Sequence, residues 1–280
     1  MKSGFPHGRV VLVTGASSGI GAAAASLFAE NGYVVYGASR RGVIPHTGGE
    51  TAFPGPKPRP LIMDITRDDS VTAGVAEVLR NEGRLDILVH AAGDGLYGPI
   101  EASAAEDARR QMDVNYFGAL RLLNAALPVM RKQGKGLVVL VGSVGGVFSI
   151  PYQTLYSSSK AAVAMLGDGL RLELKPFNIQ SVVILPGDVR TGFTQARRPV
   201  RNPCPEAYRK AMGKAVSRME QDEQNGVDPF KIARLILKAA QSRRPGARIV
   251  AGAVPRFQVF MNRVLPYAAV EWLIRRIYLG

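Results

Sequence analysis

Three polar side chains in the second half of the chain are spaced for proton transfer. Tyr156 and Lys160 stand four residues apart in the sequence YSSSK, and Ser143 precedes Tyr156 by thirteen residues. Side chains four residues apart share one face of a helix, so the Lys160 ammonium can lie beside the Tyr156 phenol and lower its pKa from about 10. The Ser143 hydroxyl can donate to a substrate oxygen. The pattern predicts acid–base chemistry at a carbonyl or alcohol, although a lone YxxxK is common by chance.

A glycine-rich turn near the N-terminus predicts dinucleotide binding. The sequence TGASSGIG at 14–21 lies between an apolar, β-branched run and an alanine-rich run. Glycines there allow positive φ angles and a close approach of the backbone to a pyrophosphate, and a helix start offers free N–H groups. The spacing Gly-x3-Gly-x-Gly differs from GxGxxG, so the flanking strand and helix carry the prediction. We expect cofactor contacts from Gly15, Ser17, Ser18, Gly19, Ile20 and Gly21.

The end of the second predicted strand indicates which dinucleotide is bound. An acidic residue at this position binds the ribose diol of NAD, but this chain has Ser39, Arg40 and Arg41 there. Because a guanidinium pairs with a phosphate through two hydrogen bonds, these residues favour NADP(H). Asp64, at the end of the third predicted strand, is placed to accept from the adenine amine or to cap a nearby helix, and we include Ile65 in the same site.

Short apolar strands alternate with helices along most of the chain. The predicted strands are 9–14, 33–38, 61–64, 85–91, 137–142, 181–185 and 248–251, and the main predicted helices are 19–31, 104–130, 153–174 and 228–242. Such alternation is typical of a parallel sheet covered on both faces. We predict a single α/β domain over 1–253, a Rossmann-like doubly wound sheet of about seven strands, with an exposed loop at 42–60.

Taken together, the motifs identify a family resemblance. They are TGASSGIG, the turn Ala91-Ala92-Gly93, Asn115, Ser143, YSSSK and the sequence PGDVRT at 186–191. Their order and spacing resemble those of the short-chain dehydrogenase/reductase family from about Arg9 to Ala253. Residues 190–226 lie where this family keeps a mobile substrate lid, and we refer to them as the lid segment.

The resemblance implies a role for each matching residue. Tyr156 is expected to be the general acid/base, Lys160 to hold the nicotinamide ribose as well, and Ser143 to orient the carbonyl or alcohol. Asn115 is expected to help position a water that relays protons to Lys160. The resemblance also implies cofactor contacts from Tyr156, Lys160, Ala91, Ala92, Gly93, Pro186, Gly187, Val189 and Thr191. One departure is His90, where the family usually has Asn, and we interpret it as a packed strand residue.

Positive charge is concentrated in the C-terminal third. The net charge is +14, and residues 190–280 carry 18 lysines and arginines against 6 acidic residues. Such a surface favours phosphates or an acidic membrane, or is a solvated face. With no recognised motif, we predict no nucleic-acid binding. Cys204 is the only cysteine, and His7, His46 and His90 lack ligand spacing, so we predict no metal site.

The two ends of the chain bear on its location. Residues 1–6 lack a signal-peptide pattern and no apolar run has the roughly 18 to 20 residues of a membrane span, so we expect a cytoplasmic, soluble or peripheral protein. Residues 254–280 show apolar and aromatic residues at helical spacing, broken at Pro266 and mixed with arginines. This amphipathic helical tail is expected to pack on the sheet, cover the substrate, contact a partner subunit or lie at a membrane.

The layout resembles family members that act on steroids, retinoids or other lipid-like alcohols and ketones. We therefore expect NADP(H)-dependent interconversion of a ketone and a secondary alcohol on a hydrophobic small molecule. A 3-oxoacyl or 3-ketosphinganine-type reductase is an alternative. A non-catalytic NADP(H)-sensing protein is another, although such a protein has no need for the four residues that match the catalytic set. The resemblance also implies a homo-oligomer, a dimer or tetramer, because members commonly pair through the helices that carry Asn115 and Tyr156.

Overall fold

A parallel sheet forms the centre of the molecule, for which a computed structural model describes residues 8–45 and 57–280. In this part of the chain seven strands pair in the order β3-β2-β1-β4-β6-β7-β9, and β5 and β8 form a small second sheet. The strands are β1 (Val10–Thr14), β2 (Val34–Ser39), β3 (Arg59–Ile62), β4 (Ile87–His90), β5 (Leu96–Tyr97), β6 (Gly136–Val141), β7 (Ile179–Pro186), β8 (Arg198–Pro199) and β9 (Arg248–Ala251). The predicted fold class, a doubly wound α/β domain, is confirmed.

Helices cover both faces of the large sheet. They are α1 (Gly19–Glu30), α2 (Asp68–Glu82), α3 (Ala105–Met112), α4 (Gly118–Gln133), α5 (Thr154–Glu173), α6 (Phe193–Ala196), α7 (Glu206–Gln224), α8 (Pro229–Gln241), α9 (Ala253–Val264) and α10 (Tyr267–Tyr278). Successive residues of β1 point to opposite faces, so Val11 packs with α1 and α8 while Leu12 packs with α2, α4 and α5. The central strands β1, β4, β6 and β7 are mostly apolar because both of their faces are buried, whereas the edge strand β3 is largely exposed.

The strand order places an opening beside β1. This strand pairs with β2 on one side and with β4 on the other, and Thr14 lies opposite both Ala38 and His90. The chain therefore leaves the centre in two directions, and the connections after β1 and β4 diverge. In open parallel sheets, ligands bind at the carboxyl ends of the strands where such a reversal occurs.

The structure differs from the prediction in three segments. The third strand, expected over 61–64 after a loop over 42–60, spans Arg59–Ile62, so Asp64 lies beyond its end. The helix expected over 104–130 is interrupted by a π-helical turn, Asp113–Phe117, between α3 and α4. The lid segment, whose periodicity is weak, contains α6, β8 and the 19-residue helix α7. Only Ala215 and Met219 of α7 are buried, so its sequence carries little of the apolar pattern that identifies a helix.

Several predictions fall wholly or partly on residues outside the described ranges. These are the interpretation of residues 1–6, the histidines at 7 and 46, and residues 46–56 of the loop expected at 42–60. Within the described ranges, no helix combines the length and apolar character that crossing a bilayer requires. The tail forms α9 and α10, which meet at Leu265 and Pro266, as the break predicted at Pro266 requires.

Candidate active site

The sequence motifs converge on one edge of the sheet. The glycine turn follows β1, Arg40 and Arg41 follow β2, Ala91 to Gly93 follow β4, Ser143 follows β6, and the segment 186–191 begins at the end of β7. Parallel strands end at the same edge, so residues far apart in the sequence meet there. The edge is the place where both predicted halves of the site, cofactor and chemical, must lie.

The glycine turn is shaped by its own backbone. Gly15 and Gly19 have positive φ angles of +71° and +53°, which side chains with a Cβ disfavour. A Cβ added at Gly15 would lie only 2.7 Å from the main-chain nitrogen of Ala92. Helix α1 begins at Gly19, and the side chain of its N-cap, Ser18, makes no capping hydrogen bond. A helix start bordered by glycine in this way fits a phosphate group.

The loop after β7 lies against the glycine turn. A Cβ at Gly19 would lie 3.0 Å from Cγ2 of Thr191, so the two segments are in contact. The Thr191 hydroxyl accepts a hydrogen bond of 3.1 Å from the Phe193 N–H, which fixes the start of the lid segment. Pro186 and Val189 are buried, and Gly187 lies against Pro255 of α9. The glycine turn and this loop therefore meet through main-chain atoms and small side chains.

The residues predicted at the adenosine end divide into two groups. Arg40 and Arg41 are exposed, whereas the buried Ser39 hydroxyl accepts from the Val43 N–H at 3.2 Å and so serves the turn. Asp64 accepts from the N–H and hydroxyl of Thr66, at 3.0 and 2.7 Å. Burial opposes ionisation of Asp64, but these bonds and the charge of Arg40 outweigh it and lower its pKa. The N-cap of α2 is Arg67, so Asp64 does not have the alternative capping role.

Ile65 has a packing role beside the predicted cofactor site. It is 8% exposed and joins the core between the sheet and α2 and α4. A Cβ added at Gly118 would lie 2.9 Å from Cδ1 of Ile65, so α4 begins directly against it. Its carbonyl accepts from the Arg121 guanidinium at 3.2 Å.

Ser143, Tyr156 and Lys160 lie together at the end of β6. Lys160 Nζ is 5.8 Å from the centroid of the Tyr156 ring and donates to the Val141 carbonyl at 3.0 Å. A Cβ at Gly145 would lie 3.3 Å from Ser143 Oγ and 3.6 Å from Cε1 of Tyr156. The Ser143 hydroxyl accepts from the Gly145 N–H at 3.0 Å. The arrangement places a phenol, a hydroxyl and an ammonium around one small space.

Burial governs the ionisation of this group. It raises the pKa of Tyr156 to about 12, although the hydrogen bond with Ser143 acts in the opposite direction. It lowers the pKa of Lys160 to about 8. In the protein without cofactor, lost hydration outweighs the neighbouring donors, whereas the lowered phenol pKa predicted from the sequence depends on Lys160 together with oxidised nicotinamide. At neutral pH the phenol holds its proton.

Asn115 lies in the π-helical turn and is 1% exposed. Its amide nitrogen donates to Ser159 Oγ at 2.8 Å and to the Asp94 carbonyl at 3.1 Å, and its oxygen accepts from the Asp94 N–H at 2.8 Å. A Cβ at Gly93 would be 3.3 Å from Asn115 Oδ1 and 3.4 Å from Lys160 Nζ. The side chain therefore joins the loop after β4 to α5, beside the ammonium.

Sequence reasoning missed Asp94, Ser159 and the position of Phe193. Asp94 accepts from Arg198 of the lid segment at 2.6 Å and from Arg110 at 3.0 Å. Ser159 donates to the Tyr156 carbonyl at 2.7 Å. The Phe193 ring centroid lies 5.5 Å from that of Tyr156. The signals were weak, since Ser159 is one of three consecutive serines and Asp94 follows a motif that ends at Gly93.

His90 is a buried strand residue. Its Nδ1 lies 3.0 Å from the hydroxyl of Thr14 on the neighbouring strand β1. Burial and the positive charge of Lys160 lower the pKa of His90 to about 3. The ring is neutral near pH 7 and holds two central strands together, in agreement with its interpretation as a packed residue.

Comparison with known proteins agrees with this geometry. Residues 9–202 match a family model described as short chain dehydrogenase. A 3-ketodihydrosphingosine reductase from Bacteroides thetaiotaomicron is 35% identical over 274 residues, covering 96% of this chain and 98% of the relative. The 17-beta-hydroxysteroid dehydrogenase type 1 of Homo sapiens is 37% identical over 193 residues, which is 66% of this chain and 58% of that protein.

A solved structure extends the similarity to the whole fold. A short-chain dehydrogenase from Streptomyces avermitilis superposes with a TM-score of 0.80 at 30% sequence identity. The match covers 99% of this chain and 98% of the other. Because the match covers nearly the whole chain, it includes the region of α9 and α10.

Proposed function

This chain belongs to the short-chain dehydrogenase family, and on that basis we propose that it uses NADP(H) to interconvert a ketone and a secondary alcohol. One observation carries the proposal: the phenol of Tyr156 stands beside the Ser143 hydroxyl and the Lys160 side chain at the carboxyl ends of the strands. A pKa of about 12 leaves Tyr156 as an acid at neutral pH, which is the form that ketone reduction requires.

The protein residues divide the work of reduction. NADPH, when bound, supplies the hydride. Tyr156 donates its proton to the substrate oxygen, and Ser143 donates a hydrogen bond to the same oxygen as negative charge develops there. Lys160 keeps a positive charge close to the phenol and so stabilises the phenolate that remains after Tyr156 has given up its proton. Asn115 holds the loop after β4 against α5, and its relay of protons to Lys160 through water is part of the proposal.

The cofactor is proposed to lie along the edge of the sheet. The glycine turn would hold the pyrophosphate, the segment 186–191 and residues 91–93 the nicotinamide half, and Asp64 and Ile65 the adenine side. Arg40 and Arg41 are exposed at the end of β2, where a 2′-phosphate distinguishes NADP from NAD, and this supports the choice of NADP(H).

A lipid-like ketone is the substrate class that we propose. The Phe193 ring lies beside Tyr156, and Ile150 lies close to the neighbouring Gly145, so apolar side chains are also present next to the phenol. The full-length similarity to a 3-ketodihydrosphingosine reductase supports a long-chain 2-amino ketone as the first substrate to test. The similarity to a 17-beta-hydroxysteroid dehydrogenase supports a steroid ketone as the second.

Parallel assays separate these candidates. NADPH oxidation is followed with 3-ketodihydrosphingosine, a 17-ketosteroid and a 3-oxoacyl thioester, each with the wild type and Tyr156→Phe. We expect turnover of the long-chain amino ketone by the wild type only. Equal rates in both proteins would contradict the proposed acid, and NADPH binding without turnover of any ketone would favour the sensing alternative.

A further inference from the structure

Helix α9 carries an apolar stripe on its solvent side. Val254, Phe257, Phe260 and Val264 follow one another at intervals of three, three and four residues, so they line one face. All four are exposed, and Phe257 is 63% exposed. The helix has no fully buried residue. A row of large apolar side chains left in water calls for a surface that covers it.

The other face of α9 explains why the stripe points outward. Val259 packs against a buried cluster at the sheet that consists of Val144, Ala164, Val183 and Leu185, and Pro255 lies against Gly187. These contacts fix the rotation of the helix. The stripe is therefore presented by a helix docked on the protein, and repacking onto the core would break the contacts of Val259.

Positive charge and interfacial aromatic residues accompany the stripe on α9 and α10. Arg256 and Arg263 are seven residues apart and share the face of α9 next to it. Helix α10 adds Arg275, Arg276 and the exposed residues Tyr267 and Trp272, with the Arg276 guanidinium 5.7 Å from the Trp272 ring. The single acidic side chain of these two helices is Glu271. We call these four arginines of α9 and α10 the cationic border. Together with exposed apolar and aromatic side chains on the same helices, it is complementary to an anionic bilayer surface.

We propose that α9 and α10 form a docking surface for anionic membranes, with the stripe inserted among the lipids and the four arginines at the headgroups. Tyr267 and Trp272 suit the same depth, because amphipathic aromatic rings concentrate at membrane–water boundaries. The cationic border disfavours a second copy of this surface as the occupant, since two such borders would repel. A partner copy has another apolar face available, with exposed Met165 and Leu172 on α5.

The docking surface adjoins the candidate active site. Val147, whose carbonyl accepts from the Asn262 side chain of α9 at 3.5 Å, follows the turn that begins with Ser143, and α10 packs beside α7 of the lid segment. A substrate taken from the bilayer would thus reach the lid segment without crossing bulk water. This delivery rests on the proposed function, whereas membrane binding itself does not.

Vesicle flotation of the full-length protein tests the surface. We expect binding to phosphatidylcholine vesicles that contain phosphatidylglycerol, weaker binding to phosphatidylcholine alone, and release by high salt. Phe257→Ser with Phe260→Ser is expected to reduce the partition coefficient at least about tenfold, since each loses a large apolar side chain from the inserted face. Arg256→Gln with Arg263→Gln is expected to remove the preference for anionic lipid.

Controls keep the result independent of folding and of turnover. Phe177→Ser removes an exposed aromatic side chain at the opposite end of the sheet, just before β7, and is expected to keep vesicle binding. Circular dichroism and NADPH binding verify that each variant is folded. Absence of wild-type binding to anionic vesicles, or binding unchanged in the Phe257/Phe260 variant, would overturn the proposal. So would a change of molar mass by light scattering in that variant without wild-type vesicle binding, which would identify a second copy as the occupant.

Discussion

At the scale of single residues, we expect a substitution of Tyr156 to affect proton transfer without affecting the binding of the cofactor. Tyr156→Phe removes the proton that reaches the substrate oxygen while keeping the ring beside Phe193. We expect kcat to fall by roughly 10²- to 10⁴-fold, the usual contribution of a positioned acid, with the Kd for NADPH almost unchanged. Steady-state kinetics and fluorescence titration measure the two effects. Tyr33→Phe, at the opposite end of the sheet, is the matched control and should retain turnover.

Arg40 and Arg41 are proposed to determine the preference for NADP(H) over NAD(H). Replacing both with Ser removes the two exposed guanidinium groups at the end of β2. We expect the ratio of kcat/KM for NADPH to that for NADH to fall at least about tenfold, because bidentate pairing with the 2′-phosphate is lost. Arg80→Ser, an exposed arginine on α2, controls for charge alone. An unchanged ratio in the double variant would remove the phosphate-binding assignment.

The lowered pKa of Lys160 predicts the alkaline limb of the pH profile. Burial favours the neutral amine, so the side chain loses its proton as pH rises through about 8. Because kcat/KM reports groups of the free enzyme, we expect it to decline above about pH 8. In Lys160→Arg the charge persists to much higher pH, so any residual activity should lack this decline. A wild-type profile flat to pH 10 would contradict the assignment.

At the scale of elements, the break between α3 and α4 shows what local sequence omits. The run 104–130 has helical composition, and nothing nearby indicates a π-helical turn. The turn is held by contacts with Asp94 and Ser159, which are 21 and 44 residues from Asn115. Such turns are frequent at functional sites because they re-aim a side chain. The central strands were predictable because they are apolar runs buried on both faces.

Ser159→Ala tests the connection between the π-helical turn and α5. The change leaves one amide donor bond of the buried Asn115 without its 2.8 Å acceptor, so we expect a loss of about 1 to 3 kcal/mol in the free energy of unfolding. Urea denaturation measures it. Ser158→Ala, at the exposed neighbouring position, is the control. Equal effects at the two positions would show that the bond to Asn115 is not responsible.

The C-terminal end of α2 could be predicted from the sequence, whereas a helix of the lid segment could not. The C-cap of α2, Gly83, has a φ of +67° and ends the helix as its residue type predicts. Helix α7 was not predictable, because its position depends on tertiary contacts such as the 2.9 Å pair of Arg197 with Glu223. In the candidate site, the residues of the motifs could be identified from the sequence. The role of Asp94 could not, because it depends on contacts with Arg110 and Arg198.

At the scale of the whole molecule, α5 offers a surface for pairing. Met165 and Leu172 are seven residues apart and exposed, and Leu172 is 77% exposed. Apolar side chains at this spacing line one helix face. We expect a homo-oligomer formed through this face and conversion to the monomer by Leu172→Asp, measured by light scattering. A monomeric wild type, or an oligomer unaffected by the change, would exclude this interface.

The contact between Thr191 and Gly19 has a consequence for synthesis on the ribosome. The two walls of the nucleotide cleft are more than 170 residues apart in sequence, so the nascent chain has emerged past β7 before they can close around a ligand. Until then, binding energy cannot stabilise the early strands. Truncated chains that stop before this point cannot be stabilised by the ligand, so we expect cellular proteases to degrade them more readily.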